Sequence, residues 1–249
     1  MKILATVKRV VDPDARVRLS SDGSELITEG LEAKMNAFDQ YGVEEAIRLK
    51  EIHGGEVVVV SVGAPGTTKE IRTALAMGGD RGVLVHAEGS DLDPGGVADL
   101  LVAVIEREEP DLVILGKLSV DSESNQVGQY VAAKLGWPQA TFAYSCEVAD
   151  GWATVGREVD GGTSTVRVKC PCVVTADLRL NEPRYASLPG IMKAKRKTID
   201  EYTPADLGVD LEPKLIIVGY ALPPARAAGE IVEDVDELVD CLQNTAKVL

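Results

Sequence analysis

The sequence has 249 residues, 45% hydrophobic and 27% charged but only 4% aromatic, so a full core has to be built from Val, Leu, Ile and Ala. The net charge of −14 argues against general nucleic-acid binding, because an acidic chain repels phosphate backbones. The apolar runs fall far short of the roughly 20 residues a membrane-spanning helix needs, and MKILATVKRV carries no secretory pattern, so a cytoplasmic protein not embedded in a membrane is expected.

Ile3–Val7 is the first aliphatic run, too short for a helix and suited to a strand buried on both faces. Val17–Thr28, with Ser21-Asp22-Gly23-Ser24 at its middle, predicts a small hairpin. Asn36 and Asp39 are placed to cap a helix that includes Val43–Lys50. Val57–Val62 predicts the next strand. Thr67 or Thr68 then caps a helix over Lys69–Ala76, which Gly78 and Gly79 end. A strand at Gly82–Val85, a helix at Gly95–Glu108, a strand at Leu112–Leu115 and a helix at Asn125–Leu135 closed by Gly136 follow. This alternation implies an α/β fold with a doubly wound, mostly parallel sheet. Cys146–Thr175 departs from it and predicts two or three antiparallel strands, with turns at Asp150-Gly151 and Asp160-Gly161-Gly162. From about Asp206 to Glu230 the chain is dotted with Pro and Gly and predicts an extended arm, with a second packed lobe as the alternative. A strand at Leu215–Val218 and an acidic helix near Val235–Leu242 are expected in the tail, dividing the chain into 1–205 and 206–249.

In an open parallel sheet, ligands sit at the carboxyl ends of strands. Three such ends are candidates: Thr6-Val7-Lys8, Ser61-Val62-Gly63-Ala64, and the long polar loop Gly116–Gln126 that leads into a helix. The last could cradle a phosphate on backbone N–H groups. There is no Walker A loop, no G-x-G-x-x-G after the first strand and no Cys/His cluster with zinc spacing. His53 and His86 sit in no motif, so neither a catalytic constellation nor a metal site is expected. Cys170 and Cys172 flank a proline in an apolar run and read as small buried hydrophobes, with a thiol-redox role as the alternative, since the spacing of an i, i+2 pair on a strand discourages a disulfide. Val173–Lys197 concentrates Arg179, Arg184, Lys193, Lys195, Arg196 and Lys197 around Tyr185, Leu188, Ile191 and Met192. An apolar tip ringed by basic residues has the anatomy of a docking site for an acidic partner.

Seven segments, in order along residues 7–197, carry a resemblance: VKRVVDPDARVR, MNAFDQYGVEEAIRLKE, TKEIRTALAMGGDRG, DLVILGKLSVDSESNQVGQ, LGWPQATFA, REVDGGTSTVRVK and VVTADLRLNEPRYASLPGIMKAKRK. On them the chain resembles the β subunit of electron transfer flavoproteins. The resemblance implies a fold of the adenine-nucleotide α-hydrolase type. It further implies a heterodimer with an α subunit that carries the redox FAD, and a structural AMP in the β subunit. The implied nucleotide contacts are Thr6, Asn36, Ala37, Phe38, Asp39, Val62, Gly116, Asp121, Ser122, Glu123, Ser124, Asn125, Gln126 and Val127, with Phe38 also near the α-subunit flavin. The recognition loop, 184–195, implies docking of acyl-CoA and related flavin dehydrogenases through Leu188, with Tyr185, Pro189, Ile191, Met192, Lys193 and Lys195 around it. Electrons would leave to a quinone oxidoreductase. Glu158 matches a position near the mobile FAD domain, and the arm 206–249 is expected to contact the α subunit.

Three positions depart from the family pattern: Ala37 replaces a proline, Val127 a threonine and Ser164 a glutamate. Bifurcating relatives hold a second FAD in place of AMP, and Val127-Gly128 is shared with their loop, whereas Ser124-Asn125-Gln126 and L-G-W-P-Q point to AMP. Two other classes remain. An ATP pyrophosphatase needs an S-G-G-x-D-S-like loop after the first strand, which Thr6–Asp12 lacks, and a homodimeric nucleotide sensor has no use for the basic loop.

Overall fold

The computed structural model describes residues 1–87, 92–226 and 228–249. Its elements in chain order are β1 (Lys2–Thr6), β2 (Arg9–Val11), β3 (Arg18–Leu19), β4 (Leu26–Ile27), β5 (Ala33–Met35), α1 (Ala37–His53), β6 (Glu56–Gly63), α2 (Thr68–Met77), β7 (Arg81–His86), α3 (Pro94–Glu108) and β8 (Leu112–Gly116). They continue with α4 (Val127–Leu135), β9 (Gln139–Ala149), β10 (Trp152–Val159), β11 (Gly162–Lys169), β12 (Cys172–Ala176), α5 (Leu188–Ala194), β13 (Ile199–Tyr202), α6 (Pro204–Leu207) and α7 (Val235–Asp240). The chain divides into two compact units, Met1–Arg18 with Thr28–Val218, and Leu19–Ile27 with Gly219–Leu249. The arm expected from residue 206 is therefore split, with 206–218 belonging to the first unit. Ala227, within that arm, lies outside the described residues.

The first unit is built on a nine-stranded sheet in the order β11-β10-β9-β12-β8-β1-β6-β7-β13. From β9 to β13 every neighbouring pair is parallel, and only β10 runs against its neighbours. Successive side chains of the central strands point to opposite faces. Ile3, Ala5, Val57, Val59, Leu112 and Ile114 pack with Val43 and Ile47 of α1 and Ile71 and Leu75 of α2. Leu4, Val58, Val60, Val83 and Val113 pack on the other face with Leu100, Leu101 and Val104 of α3 and Val131 of α4. Each of these buried aliphatic side chains stabilises by about 1.5–3 kcal/mol, which is how a core with so few aromatic residues holds. α4 ends at Gly136, whose φ of 64° is a left-handed conformation that glycine adopts without a Cβ clash.

Three expectations are corrected. The strand β12 is not part of an antiparallel set: it lies parallel between β8 and β9, and only β9-β10-β11 form the antiparallel meander, on the same sheet. Leu215–Val218 is not a strand; it is extended chain with Ile216 84% and Val218 98% exposed, an aliphatic run with no strand partner. α4 begins at Val127 rather than Asn125, because Asn125 has a φ of 48° and closes the preceding loop. The edge strand β13 and the ribbon β2–β5 were not foreseen; β13 reads Ile-Asp-Glu-Tyr, too polar to signal a buried strand.

In the second unit, the turn after β3 is tightened by Asp22, whose carboxylate accepts from Ser20 and Ser24. Tyr220 N–H donates to Gly23 O at 2.8 Å. α7 is capped by Asp234, which accepts from Glu237 N at 2.9 Å.

Candidate functional site

From β1 the chain crosses to β6 on one side, and β8 lies on the other, so the sheet order reverses at the β1/β8 boundary. Connections leaving in opposite directions open a crevice at the carboxyl ends of these strands. A cavity of about 780 Å³ occupies it. Its wall comes from Thr6, Val7 and Lys8 after β1, Val60–Val62 of β6, and Gly116–Ser119 after β8. Ser122, Ser124, Asn125, Gln126, Val127 and Gly128 add the loop and the start of α4, and Asn36 and Asp39 the start of α1. Val97 and Leu101 of α3, with Leu115, Leu215, Ile216 and Ile217, make one side apolar.

Asn36 and Asp39 hold this end of the sheet together rather than capping α1. Asn36 makes no side-chain cap bond. It is buried, donates from Nδ2 to Leu118 O at 2.8 Å and accepts from Val120 N at 3.2 Å, which fixes the loop after β8. Asp39 accepts from Lys8 N at 2.8 Å and Gly116 N at 3.0 Å, tying the ends of β1 and β8 to α1. Burial pushes the Asp39 carboxyl up to about 6, against the hydrogen bonds it receives from Asn36, Gly116 and Lys8. The chain closes tightly here: a Cβ on Gly116 would lie 2.6 Å from Asp39 Oδ1 and 2.8 Å from Phe38 Cβ.

Seven residues of the loop 117–126 line the cavity: Lys117, Leu118, Ser119, Ser122, Ser124, Asn125 and Gln126. Glu123 and Asn125 both have a φ of 48°, which folds successive amides into a concave run. Gln126, the residue before α4, supplies no capping side chain, and the first i→i−4 bond of α4 runs from Tyr130 N to Gln126 O. The amides of 127–129 are thus the orphan donors of a helix start. The Lys8 ammonium donates to Ser119 Oγ at 3.1 Å and pairs with Asp121 at 2.7 Å. Burial alone would raise the Asp121 carboxyl; hydrogen bonds from Lys8 and Ser119 and the Lys8 charge outweigh it and hold the group below its ordinary value.

Ten of the fourteen implied nucleotide contacts line this cavity: Thr6, Asn36, Asp39, Val62, Gly116, Ser122, Ser124, Asn125, Gln126 and Val127. Ala37, Phe38, Asp121 and Glu123 stand off the wall. Phe38 is buried with the Lys117 ammonium 5.2 Å from its ring centre, and Lys117 pairs with the buried Asp177 at 2.5 Å. Asp93 was missed by sequence reasoning. One of its carboxylate oxygens caps α3 by accepting from Gly96 N at 2.7 Å, and the other accepts from Lys214 N at 2.9 Å. It thereby holds the apolar segment 213–217 against the cavity. A capping Asp before Pro94 was visible in sequence; its second bond, 121 residues away, was not.

The basic segment folds as a short helix, α5, capped by Ser187 Oγ, which accepts from Gly190 N at 3.2 Å. Tyr185 is 96% exposed, Leu188 74% and Met192 55%, with Pro189, Ile191, Lys193 and Lys195 also exposed. The expected ring of charge is smaller than its sequence suggests, because three of the cations are occupied internally. Arg184 forks onto Glu44 at 2.9 Å and Glu51 at 2.6 Å. Lys197 donates to Leu75 O and Gly79 O at the end of α2, and Arg179 pairs with Glu158. Arg72 donates to Ala194 O at 2.6 Å and Lys197 O at 2.5 Å, fastening α5 on α2. The apolar tip is thus carried on a braced platform.

His86 lies 2.7 Å from Glu201 between β7 and β13 and away from the cavity lining. Among the described residues no cluster of three or more His, Cys, Asp and Glu could hold a metal ion, and no helix is long and apolar enough to cross a membrane.

The model of the electron transfer flavoprotein domain matches residues 24–207, well over half the chain. The electron transfer flavoprotein subunit beta of Bradyrhizobium diazoefficiens is 54% identical, with 100% of both chains covered. The human protein of the same name is 47% identical over 100% of this chain and 99% of its own. The protein from Oryza sativa subsp. indica whose name adds "mitochondrial" is 48% identical over 100% of both. With matches along its whole length to proteins of one name, the chain belongs to the β-subunit family of the electron transfer flavoproteins.

Proposed function

We propose that this chain is a cytoplasmic, non-catalytic β subunit that holds one AMP as a structural ligand, supports the FAD domain of an α subunit and docks flavin dehydrogenases through α5. The observation that carries the reading is the cavity at the sheet's switch point, lined on one side by apolar residues and on the other by the polar loop after β8 and the start of α4. The residues suit an adenylate. Val62, Val97, Leu101, Leu115 and Ile216 would pack a base, while the amides of 127–129 and the hydroxyls of Ser122 and Ser124 would receive a phosphate. The two carboxylates on the wall, Asp39 and Asp93, already accept two backbone N–H bonds each. Val127 offers no hydroxyl, so at the start of α4 itself the phosphate would meet only main-chain donors.

The flavin, bound mainly by the α subunit, supplies the electron-carrying chemistry. This chain's part is to present Leu188 and Met192 on the braced α5 to acyl-CoA and related dehydrogenases, and to meet the moving FAD domain near Glu158, which within this chain is paired with Arg179. Electrons then pass to a quinone oxidoreductase. Co-expression with its α subunit and measurement of flavin absorbance per heterodimer tests the assignment. One flavin is expected; two would replace AMP with a second FAD and make the protein a bifurcating relative.

A further inference from the structure

Cys170 and Cys172 play no part in the cavity or in the docking platform. Cys170 does not lie on a strand, as its sequence context suggested; it sits in the bend before β12, half-exposed, with its N–H donating to Gly151 O at 2.9 Å. Cys172 opens β12, is fully buried and is in register with Leu112 of β8. The bend brings the two sulfurs to 4.0 Å, so strand geometry does not keep them apart. Both backbones are anchored, and Cys170 is only partly buried against the core whereas Cys172 is fully buried.

We propose that Cys170 and Cys172 form a thiol–disulfide exchange site whose co-substrate is a low-molecular-weight disulfide, Cys170 attacking and Cys172 resolving. The Cys170 thiolate attacks one sulfur of the disulfide RSSR; the RS–SR bond breaks, and the leaving thiolate takes a proton as RSH. The Cys172 sulfur, having lost its proton to solvent, then attacks Cys170 Sγ, the mixed S–S bond breaks, and a second RSH leaves. Two protein thiols are oxidised to one disulfide and RSSR is reduced to two RSH, so electrons and protons balance. The asymmetry of the pair suits this order of events. The hydrogen bond from Cys172 holds the Cys170 thiol below its ordinary range, and the same bond with burial pushes Cys172 up. Attack falls to the sulfur that is both accessible and more readily ionised. Closing the bond needs the sulfurs to move from 4.0 Å to about 2.05 Å. Cys146, buried on β9 with its thiol pushed up to about 12 by burial, is unsuited to the attack.

The test is incubation of the folded protein with oxidised glutathione, followed by intact-mass measurement and peptide mapping. The wild type is expected to lose two hydrogens and yield a 170–172 disulfide. Cys172→Ala is expected to stop at a glutathione adduct on Cys170, and Cys170→Ser to leave Cys172 unmodified. A wild type that keeps both thiols, a disulfide mapped to Cys146, or a Cys170→Ser protein modified at Cys172 as fast as the parent at Cys170 would overturn the proposal. Cys170→Ser alters only the half-exposed residue, so the test stands even where the core substitution fails to fold.

Discussion

Replacing Asp39 by Asn isolates the electrostatics at the base of the cavity. The carboxyl is raised from an ordinary value of 3.8 to about 6 by burial, with its hydrogen bonds opposing. A group whose folded value is raised binds its proton more tightly when folded. The stability it contributes is fully present below about pH 4 and is lost as pH rises through about 6. The whole shift corresponds to about 3 kcal/mol. Between about pH 5 and about pH 7.5 the linkage relation assigns on the order of 1 kcal/mol, because at the lower limit the folded carboxyl is mostly protonated and the unfolded one is not. The amide introduced by Asp39→Asn cannot titrate, so the wild-type-minus-variant difference removes every other group's pH dependence. Urea denaturation followed by circular dichroism, on wild type and Asp39→Asn at both pH values, measures it. The expected result is that the wild type loses on the order of 1 kcal/mol relative to the variant as pH rises. A flat difference, or a wild type that gains on the variant, would refute the claim that desolvation dominates at this residue.

Other substitutions test the remaining parts. Leu188→Ala removes an apolar anchor worth about 1.5–3 kcal/mol when buried by a partner, so the apparent KM for reduction by a dehydrogenase should rise roughly ten- to hundredfold. Flavin content and heterodimer yield should not change; unchanged kinetics would remove the anchor role. Arg184→Ala strands the buried carboxylate of Glu44 and should lower stability by about 1–3 kcal/mol, read by urea denaturation, with Arg184→Lys restoring part of it. Gly116→Ala forces a methyl against Asp39 and Phe38 and should cost about 1–3 kcal/mol while lowering nucleotide occupancy, measured by absorbance after release.

The central strands were legible because burial on both faces demands unbroken aliphatic runs such as Val57–Val60, and the glycines at 78 and 136 marked helix ends through backbone geometry. Strand pairing was not legible. Val173 and Val174 say that β12 is buried, but not that β8 is its parallel neighbour. The aliphatic run at Leu215–Ile217 looks like a strand for the same reason and instead is exposed extended chain bordering the cavity, since composition names neither burial nor a strand partner. The loop after β8 was visible as a polar stretch leading into a helix. Asp39 was legible as a helix cap and, through the resemblance, as a nucleotide contact, but not as the tie between β1 and β8, and the pairings Arg184–Glu44 and Lys117–Asp177 were not legible, because their partners lie 140 and 60 residues away. Those contacts decide how much of the basic segment's charge faces outward.

The central claim is that the crevice between β1 and β8 holds an adenylate that the protein does not consume. Acid or heat denaturation of the purified heterodimer, followed by mass identification and counting of the released small molecules, tests it most directly. The account predicts one adenosine monophosphate and one flavin per heterodimer. Release of flavin without any adenylate would contradict it.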